Sequence, residues 1–225
     1  MPALLLPVRA VLIDLDGTLL DTIEDLADAA NAMLAELGRA SLPTLAVRSF
    51  VGKGIPNLVM RCLSDEYPAS EAEVGAALPV FWRHYAAVNG LKTQVYPGVI
   101  NGLKAMRHAG FRLACITNKA AAFTEPLLQK MGLAPYFEMV VSGDSLPEKK
   151  PHPLPFLHVC EQFGITSRYA LVIGDSRNDV SAARAAGCPV FCVPYGYSEG
   201  EDVRDLGADA IVASLEEAAQ CITLG

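Results

Sequence analysis

Two aspartates, Asp14 and Asp16, directly follow the apolar run 10–13. An unbroken apolar run is typical of a strand buried on both faces of a parallel sheet, and ligands bind beyond the carboxyl ends of such strands. We expect the two carboxylates, two residues apart at the point where the strand ends, to point in different directions. The spacing therefore predicts one carboxylate that attacks or binds a metal and another that serves as acid or base. The alternative is an ordinary Asp-x-Asp-Gly turn ending at Gly17.

Three later polar groups also follow apolar runs. They are Thr117 with Asn118 after 113–116, Lys150 after 140–142 and a short acidic loop, and Asp175 with Asp179 after 171–173. Each has a simpler interpretation. Thr117 could cap a helix, Lys150 could be a solvated loop lysine, and Asp179 could be a first-turn acid favoured by the helix dipole.

The order of these groups resembles the haloacid dehalogenase superfamily. DLDGTL at 14–19 and GDSRND at 174–179 resemble its first and last motifs, and Thr117 and Lys150 resemble the two between them. The resemblance covers nearly the whole chain. Members form an aspartyl intermediate and mostly hydrolyse phosphate esters, so the resemblance implies an enzyme of that kind.

The resemblance also implies a magnesium site. Mg²⁺ prefers hard oxygen ligands, which here would be the Asp14 carboxylate, the Asp16 backbone carbonyl and the Asp175 carboxylate. Asp179 would hold a metal-bound water or orient Lys150. Positive charge is needed because a phosphate dianion repels the carboxylate that attacks it.

The resemblance also implies roles for the remaining candidate site residues. Thr117 and the Asn118 backbone amide would donate hydrogen bonds to the phosphoryl group, and Lys150 would add a positive charge. Asp16 would protonate the leaving alkoxide and then accept a proton from the hydrolytic water. The dehalogenases and phosphonatases of the superfamily lack a carboxylate at this position, so Asp16 favours a phosphatase or a phosphomutase.

Apolar residues recur with helical spacing between residues 20 and 88. The pattern predicts helices over 23–37, from 41–43 onward, over 55–63 and over 70–85, with a capping box at 21–24 and a kink or restart at Pro79. We interpret 20–88 as a helical cap domain inserted into a core formed by 1–19 and 89–225. An inert insertion or a dimerisation arm is the alternative.

From residue 96 onward, predicted strands and helices alternate. The strands are 111–116, 139–142, 170–173, 190–193 and 210–212, and the helices are 99–108, 123–131, 154–163 and 180–186. This alternation predicts an α/β fold with a doubly wound, Rossmann-like parallel sheet.

The predicted cap carries two candidate substrate-binding cations, Arg48 and Lys53. A solvated loop between helices is the alternative. Within the superfamily, RSFVGKGIPNL at 48–58 and the motifs above resemble bacterial phosphoglycolate phosphatases most, with Ser198 as a departure. The implied reaction is magnesium-dependent hydrolysis of 2-phosphoglycolate. The alternatives are a β-phosphoglucomutase, a pyrophosphatase, a broad small-sugar phosphatase or a non-catalytic phosphate-binding protein.

The composition of the chain argues against some classes of binding partner. A net charge of −7 provides no basic surface for nucleic acid, and no apolar stretch reaches the roughly 18 residues of a membrane helix. The six cysteines have no CxxC spacing and are expected to be reduced, buried thiols. We expect a cytoplasmic monomer or homodimer whose partner is a small phosphorylated metabolite.

Overall fold

The structure is a computed structural model that describes residues 5–64 and 66–225. In chain order its strands are β1 (Leu6–Val8), β2 (Ala10–Ile13), β3 (Leu20–Asp21), β4 (Gln94–Val95), β5 (Arg112–Ile116), β6 (Met139–Val141), β7 (Ala170–Gly174), β8 (Val190–Cys192), β9 (Ala210–Ile211) and β10 (Ile222–Leu224). Its α-helices are α1 (Ile23–Glu36), α2 (Thr44–Arg48), α3 (Ile55–Leu63), α4 (Glu71–Val88), α5 (Val99–His108), α6 (Ala121–Lys130), α7 (Leu154–Phe163), α8 (Arg177–Ala186) and α9 (Leu215–Gln220).

A six-stranded parallel sheet in the order β6-β5-β2-β7-β8-β9 forms the centre of the molecule. Alternate residues of β2 enter different hydrophobic cores. Val11 and Ile13 belong to one core, and Ala10 and Leu12 belong to the other. The strand is therefore buried on both faces, as its apolar run predicts. The α/β class with a doubly wound parallel sheet is confirmed.

Helices α1 to α4 pack around their own buried cluster, which also includes Phe123 and Tyr197 from the sheet half of the chain. Helix α4 continues through Pro79, so of the predicted kink or restart the restart is excluded and the kink stays a prediction. Proline removes one backbone hydrogen bond from a helix. Complete burial of Phe81 and Tyr85 beyond the proline offsets that loss and holds the helix in place.

Two chain segments connect this helical part to the sheet. Strands β3 and β4 pair antiparallel where the segments meet, next to the predicted cap boundaries at residues 20 and 88. Buried Asp25 of α1 accepts hydrogen bonds from the backbone amides of Gly90, Lys92 and Thr93 and from the Thr93 hydroxyl. This carboxylate ties α1 to the returning segment. The division into domains stays a prediction, and residues 1–4 of the predicted core lie outside the described residues.

Other short elements were not predicted from the sequence. Strands β1 and β10 form a separate parallel pair, and α9 precedes β10. Across the described ranges, no helix combines the length and the apolar character that crossing a membrane requires.

Candidate active site

Asp14 lies immediately after β2 and is bound by a buried lysine. Lys150 Nζ is 2.5 Å from Asp14 Oδ1, 2.7 Å from Asp179 Oδ1 and 2.8 Å from the Ile116 carbonyl oxygen. The three ammonium protons thus have three acceptors. Asp179 is fixed in turn, because its Oδ2 accepts hydrogen bonds from the Ser176 hydroxyl and amide in a capping box at the start of α8. Asp179 can therefore be an acid in the first turn of α8 and orient Lys150 at the same time.

Asp175 follows β7 and lies against glycines. Its Oδ2 accepts a hydrogen bond from the Tyr197 amide at 2.5 Å. A Cβ atom on Gly17 would lie 2.2 Å from Asp175 Oδ2, and one on Gly196 would lie 2.2 Å from Asp175 Cβ. A side chain at either glycine would displace the Asp175 carboxylate. Gly174 leaves similar room for Asp179, whose Cγ would be 2.3 Å from an added Cβ.

The Asp14, Asp175 and Asp179 carboxylates are suited to a cation. One oxygen from each lies within 4.8 Å of the others, and all three side chains are buried. The ammonium of Lys150 pairs with two of these carboxylates. One positive charge among three carboxylates leaves the cluster with an excess of negative charge. Hard oxygen donors with uncompensated charge favour a divalent ion such as Mg²⁺. The donor set and the glycine-lined space therefore fit a metal site.

The pKa shifts of Asp14, Asp175 and Lys150 arise from burial and from the charges of neighbouring residues. Burial raises the pKa of the Asp14 carboxyl well above its usual value, and the charges of Asp179 and Asp175 add to this rise while Lys150 opposes it. Burial, followed by the charge of Asp179, raises the pKa of Asp175 to about 7. Burial would lower the pKa of Lys150, but Asp14 and Asp179 raise it overall. The carboxylates repel one another strongly, and a bound cation would relieve that repulsion.

Asp16 points away from this cluster and pairs with a different lysine. Lys119 Nζ lies 2.9 Å from Asp16 Oδ1 and 3.1 Å from Oδ2, and the Thr22 hydroxyl donates to Oδ1 at 2.7 Å. Thr22 is the N-cap residue of α1 but makes no side-chain cap bond. The predicted capping box at 21–24 is wrong, because the N-cap is Thr22 and the Asp21 carboxylate accepts hydrogen bonds from the Ile23 amide and the Tyr197 hydroxyl instead. Side chains two residues apart share one face of an extended chain, so Asp14 and Asp16 diverge because the chain leaves the strand conformation after Ile13.

Thr117 and Asn118 follow β5 and line a cavity together with Asp14 and Asp175. The Thr117 amide donates to the Val141 carbonyl, and its hydroxyl accepts from the Lys119 amide at 3.1 Å. Thr117 does not cap α6, whose N-cap is Ala120. The Asn118 side-chain amide donates to the carbonyl oxygens of Gly52, at 2.9 Å, and Lys150, at 2.8 Å. Asn118 therefore connects the helical segment to the Lys150 loop.

One cavity contains most of the predicted site residues. Its polar wall includes Asp14, Asp16, Thr117, Asn118, Lys150 and Asp175. The helical segment contributes an apolar wall, Leu26, Val51, Ile55 and Leu58, together with Gly52 and Gly54. The cavity therefore lies between the sheet edge and the helical segment. Asp179 borders it indirectly, through its contact with Lys150.

The structure does not bring Arg48 and Lys53 to this cavity with the other predicted residues. The Arg48 guanidinium donates to the carbonyl oxygens of Tyr195 and Gly196 and lies over the Tyr197 ring, 5.0 Å from its centroid. Neither Arg48 nor Lys53 is among the described residues that line the cavity. Their role in substrate binding stays a prediction.

Two residues at the site were not assigned a role from the sequence. Lys119 is buried, and Tyr197 positions Asp175 through its amide while its hydroxyl contacts Asp21 at 3.0 Å. The sequence does contain a signal for Lys119, because this residue directly continues the polar pair Thr117 and Asn118 that follows an apolar strand. The chemistry of tyrosine gives no comparable signal, because an aromatic residue in a loop usually only packs.

Comparison with known proteins agrees with this geometry. Residues 8–187 match the family of haloacid dehalogenase-like hydrolases. The chain is 57% identical over 220 residues to a phosphoglycolate phosphatase of Nitrosospira multiformis, covering 96% of each chain, and 50% identical over 220 residues to one of Thiobacillus denitrificans, covering 97% of each. The crystal structure of a predicted phosphoglycolate phosphatase from Haemophilus somnus superposes with a TM-score of 0.89 at 31% identity, covering 94% of this chain and 96% of the other.

The chain belongs to the haloacid dehalogenase-like hydrolases. Within that family it is a phosphoric monoester hydrolase, and its sequence resembles the bacterial phosphoglycolate phosphatases. The resemblance indicated by the sequence motifs is thereby confirmed at the level of the family and the class of enzyme.

Proposed function

We propose that the protein hydrolyses 2-phosphoglycolate to glycolate and phosphate with Mg²⁺, through an aspartyl phosphate on Asp14. The observation that carries this proposal is the buried cluster of the Asp14, Asp175 and Asp179 carboxylates, in which Lys150 contacts Asp14 and Asp179, while Asp16 pairs with Lys119. The substrate comes from similarity alone, because the relatives named above are phosphoglycolate phosphatases.

The first half-reaction transfers the phosphoryl group to the protein. A carboxylate oxygen of Asp14 forms a bond to phosphorus, the bond from phosphorus to the ester oxygen breaks, and Asp16 gives its proton to the leaving alkoxide. Lys150 holds Asp14 through its Oδ1, which fixes the direction of the carboxylate. The Thr117 hydroxyl, at the cavity wall, is available to the transferred oxygens.

The second half-reaction releases phosphate. Water attacks phosphorus of the aspartyl phosphate, Asp16 accepts the proton of that water, and Asp14 leaves as a carboxylate. Asp14, Asp175 and the Asp16 backbone carbonyl would hold Mg²⁺, which supplies positive charge against the phosphoryl oxygens when bound. Asp179 keeps Lys150 in position through their 2.7 Å contact.

Location and assembly follow as further expectations. The six cysteines are free thiols, five of them buried, which supports a reducing compartment and thus the cytoplasm. We keep the expectation of a monomer or homodimer.

The test is phosphate release from a panel of about twenty small phosphate esters, with Mg²⁺ and with a chelator. We expect steady, metal-dependent release that is fastest for 2-phosphoglycolate, and loss of release in Asp14→Asn, whose amide cannot attack. Asp144→Asn, which alters an aspartate in the acidic loop after β6, is the matched control. Little release without a bisphosphate activator would indicate a mutase, and release from Asp14→Asn at the normal rate would contradict the proposed nucleophile.

A further inference from the structure

The proposed substrate carries two anionic groups, and the cavity must accommodate both. Among the described residues that line it, the cationic side chains are Lys119 and Lys150. Lys150 already contacts Asp14, Asp179 and the Ile116 carbonyl oxygen with its three protons. It lies on the phosphoryl side of the site, next to the nucleophile. A carboxylate elsewhere on the substrate therefore requires a different cation.

Lys119 pairs with the proposed acid and not with the nucleophile. Its ammonium contacts both oxygens of Asp16, and Asp16 is the residue proposed to protonate the ester oxygen of the leaving group. A group that touches the acid lies beside the leaving group. In 2-phosphoglycolate a single methylene separates the ester oxygen from the carboxylate. The substrate carboxylate would thus be held close to Lys119.

The surroundings of Lys119 keep its ammonium at this place. The side chain is 3% exposed, against 14% for Asp16, and Nζ lies 4.9 Å from the centroid of the Tyr85 ring of α4. A buried ammonium is costly unless it is paired, and an aromatic face adds attraction. Asp16 provides the pairing in this structure. Because Lys119 itself lines the cavity, a second carboxylate can reach the ammonium from there.

We propose that Lys119 is the substrate-binding cation that receives the carboxylate of the substrate and so selects phosphate esters with an adjacent acid group. This inference rests on the proposed function and names the residue that determines its specificity. It differs from the sequence-based prediction of Arg48 and Lys53, which do not line the cavity, while Lys119 does. Binding of the carboxylate would also share the ammonium between two anions and loosen its hold on Asp16.

The test measures binding rather than turnover, on the full-length protein with Mg²⁺. Two non-hydrolysable ligands are compared by calorimetry. They are 3-phosphonopropionate, which replaces the ester oxygen of 2-phosphoglycolate with a methylene, and propylphosphonate, which lacks the carboxylate. Lys119→Met should weaken binding of 3-phosphonopropionate by about 10- to 100-fold, as expected for a charged hydrogen bond, and change binding of propylphosphonate by less than about 3-fold.

Lys119→Arg keeps the charge and should retain a preference for the carboxylated ligand, and Lys104→Met on the exposed face of α5 should leave both affinities unchanged. If circular dichroism shows that Lys119→Met does not fold, Lys119→Gln takes its place. Equal weakening of both ligands, or a wild-type protein with no preference between them, would overturn the proposal. Phosphate release from 2-phosphoglycolate by the wild type tests the proposed function separately, so the two failures are distinguishable.

Discussion

The backbone of Gly17 contacts the carboxylate of Asp175 so closely that a Cβ atom would lie 2.2 Å from Oδ2. Gly17 also has φ of 91°, a left-handed conformation that residues with a side chain rarely adopt. The turn that follows the nucleophile and the end of β7 are thus built against each other. Position 17 affects both the backbone conformation and the placement of a carboxylate.

Gly17→Ala should therefore abolish phosphate release and lower the free energy of unfolding by about 2–4 kcal/mol, because both the strained φ and the displaced carboxylate are costly. Urea unfolding and phosphate release measure the two effects. Gly38→Ala is the matched control, since Gly38 has φ of 70° but nothing within 4 Å of an added Cβ. Gly38→Ala should lower the free energy of unfolding by about 1 kcal/mol, the cost of the left-handed φ alone, and leave phosphate release intact. Similar activity in the two variants would contradict the argument.

The sheet was predictable because its strands are apolar runs buried on both faces, and the position of Asp14 and Asp175 follows from the strand ends. The pair β1 and β10 was not, because three-residue strands from opposite ends of the chain leave no local pattern. Asp25 lies off the apolar stripe of α1, and its burial is explained only once residues 90–93 return to it. The sequence places Lys119 just after a predicted strand. It does not identify the partner of Lys119, because Asp16 is 103 residues away.

Mg²⁺ should stabilise the protein, because it neutralises carboxylates that repel one another in the folded state. At a concentration a hundred times its dissociation constant, binding to the folded state alone adds about 2.7 kcal/mol. For a chain of this length, that raises the melting temperature by roughly 5–10 °C, and a chelator should reverse the rise. Asp175→Asn should lose most of this gain. An equal rise in Asp175→Asn, measured by thermal melting, would place the ion elsewhere.

Asp16→Asn should slow hydrolysis most for substrates with poor leaving groups. An amide cannot donate the proton that an alkoxide needs, so the rate for 2-phosphoglycolate should fall roughly a hundredfold to ten-thousandfold. The fall should be much smaller for 4-nitrophenyl phosphate, whose leaving group needs no acid. Release of glycolate and of 4-nitrophenol in the first turnover gives the comparison, because hydrolysis of the aspartyl phosphate, in which Asp16 accepts the proton of water, is the same for both substrates. Because the change also leaves Lys119 without its carboxylate partner, the melting temperature is measured in parallel. Equal losses on the two substrates would argue against Asp16 as the acid.

Asp25→Asn should destabilise the connection between α1 and the returning segment. The buried carboxylate accepts four hydrogen bonds, and its Oδ2 receives three of them, from Gly90 and from the amide and hydroxyl of Thr93. An asparagine retains one acceptor oxygen and adds a donor that faces other donors, so we expect a loss of about 2–4 kcal/mol in the free energy of unfolding. Asp28→Asn is the control on the same helix. Asp28 pairs with Lys92 at 2.7 Å, but both side chains are exposed, so its loss should be under about 1 kcal/mol. Urea unfolding of both variants measures the difference, and equal effects would show that the carboxylate of Asp25 does not hold the two segments together.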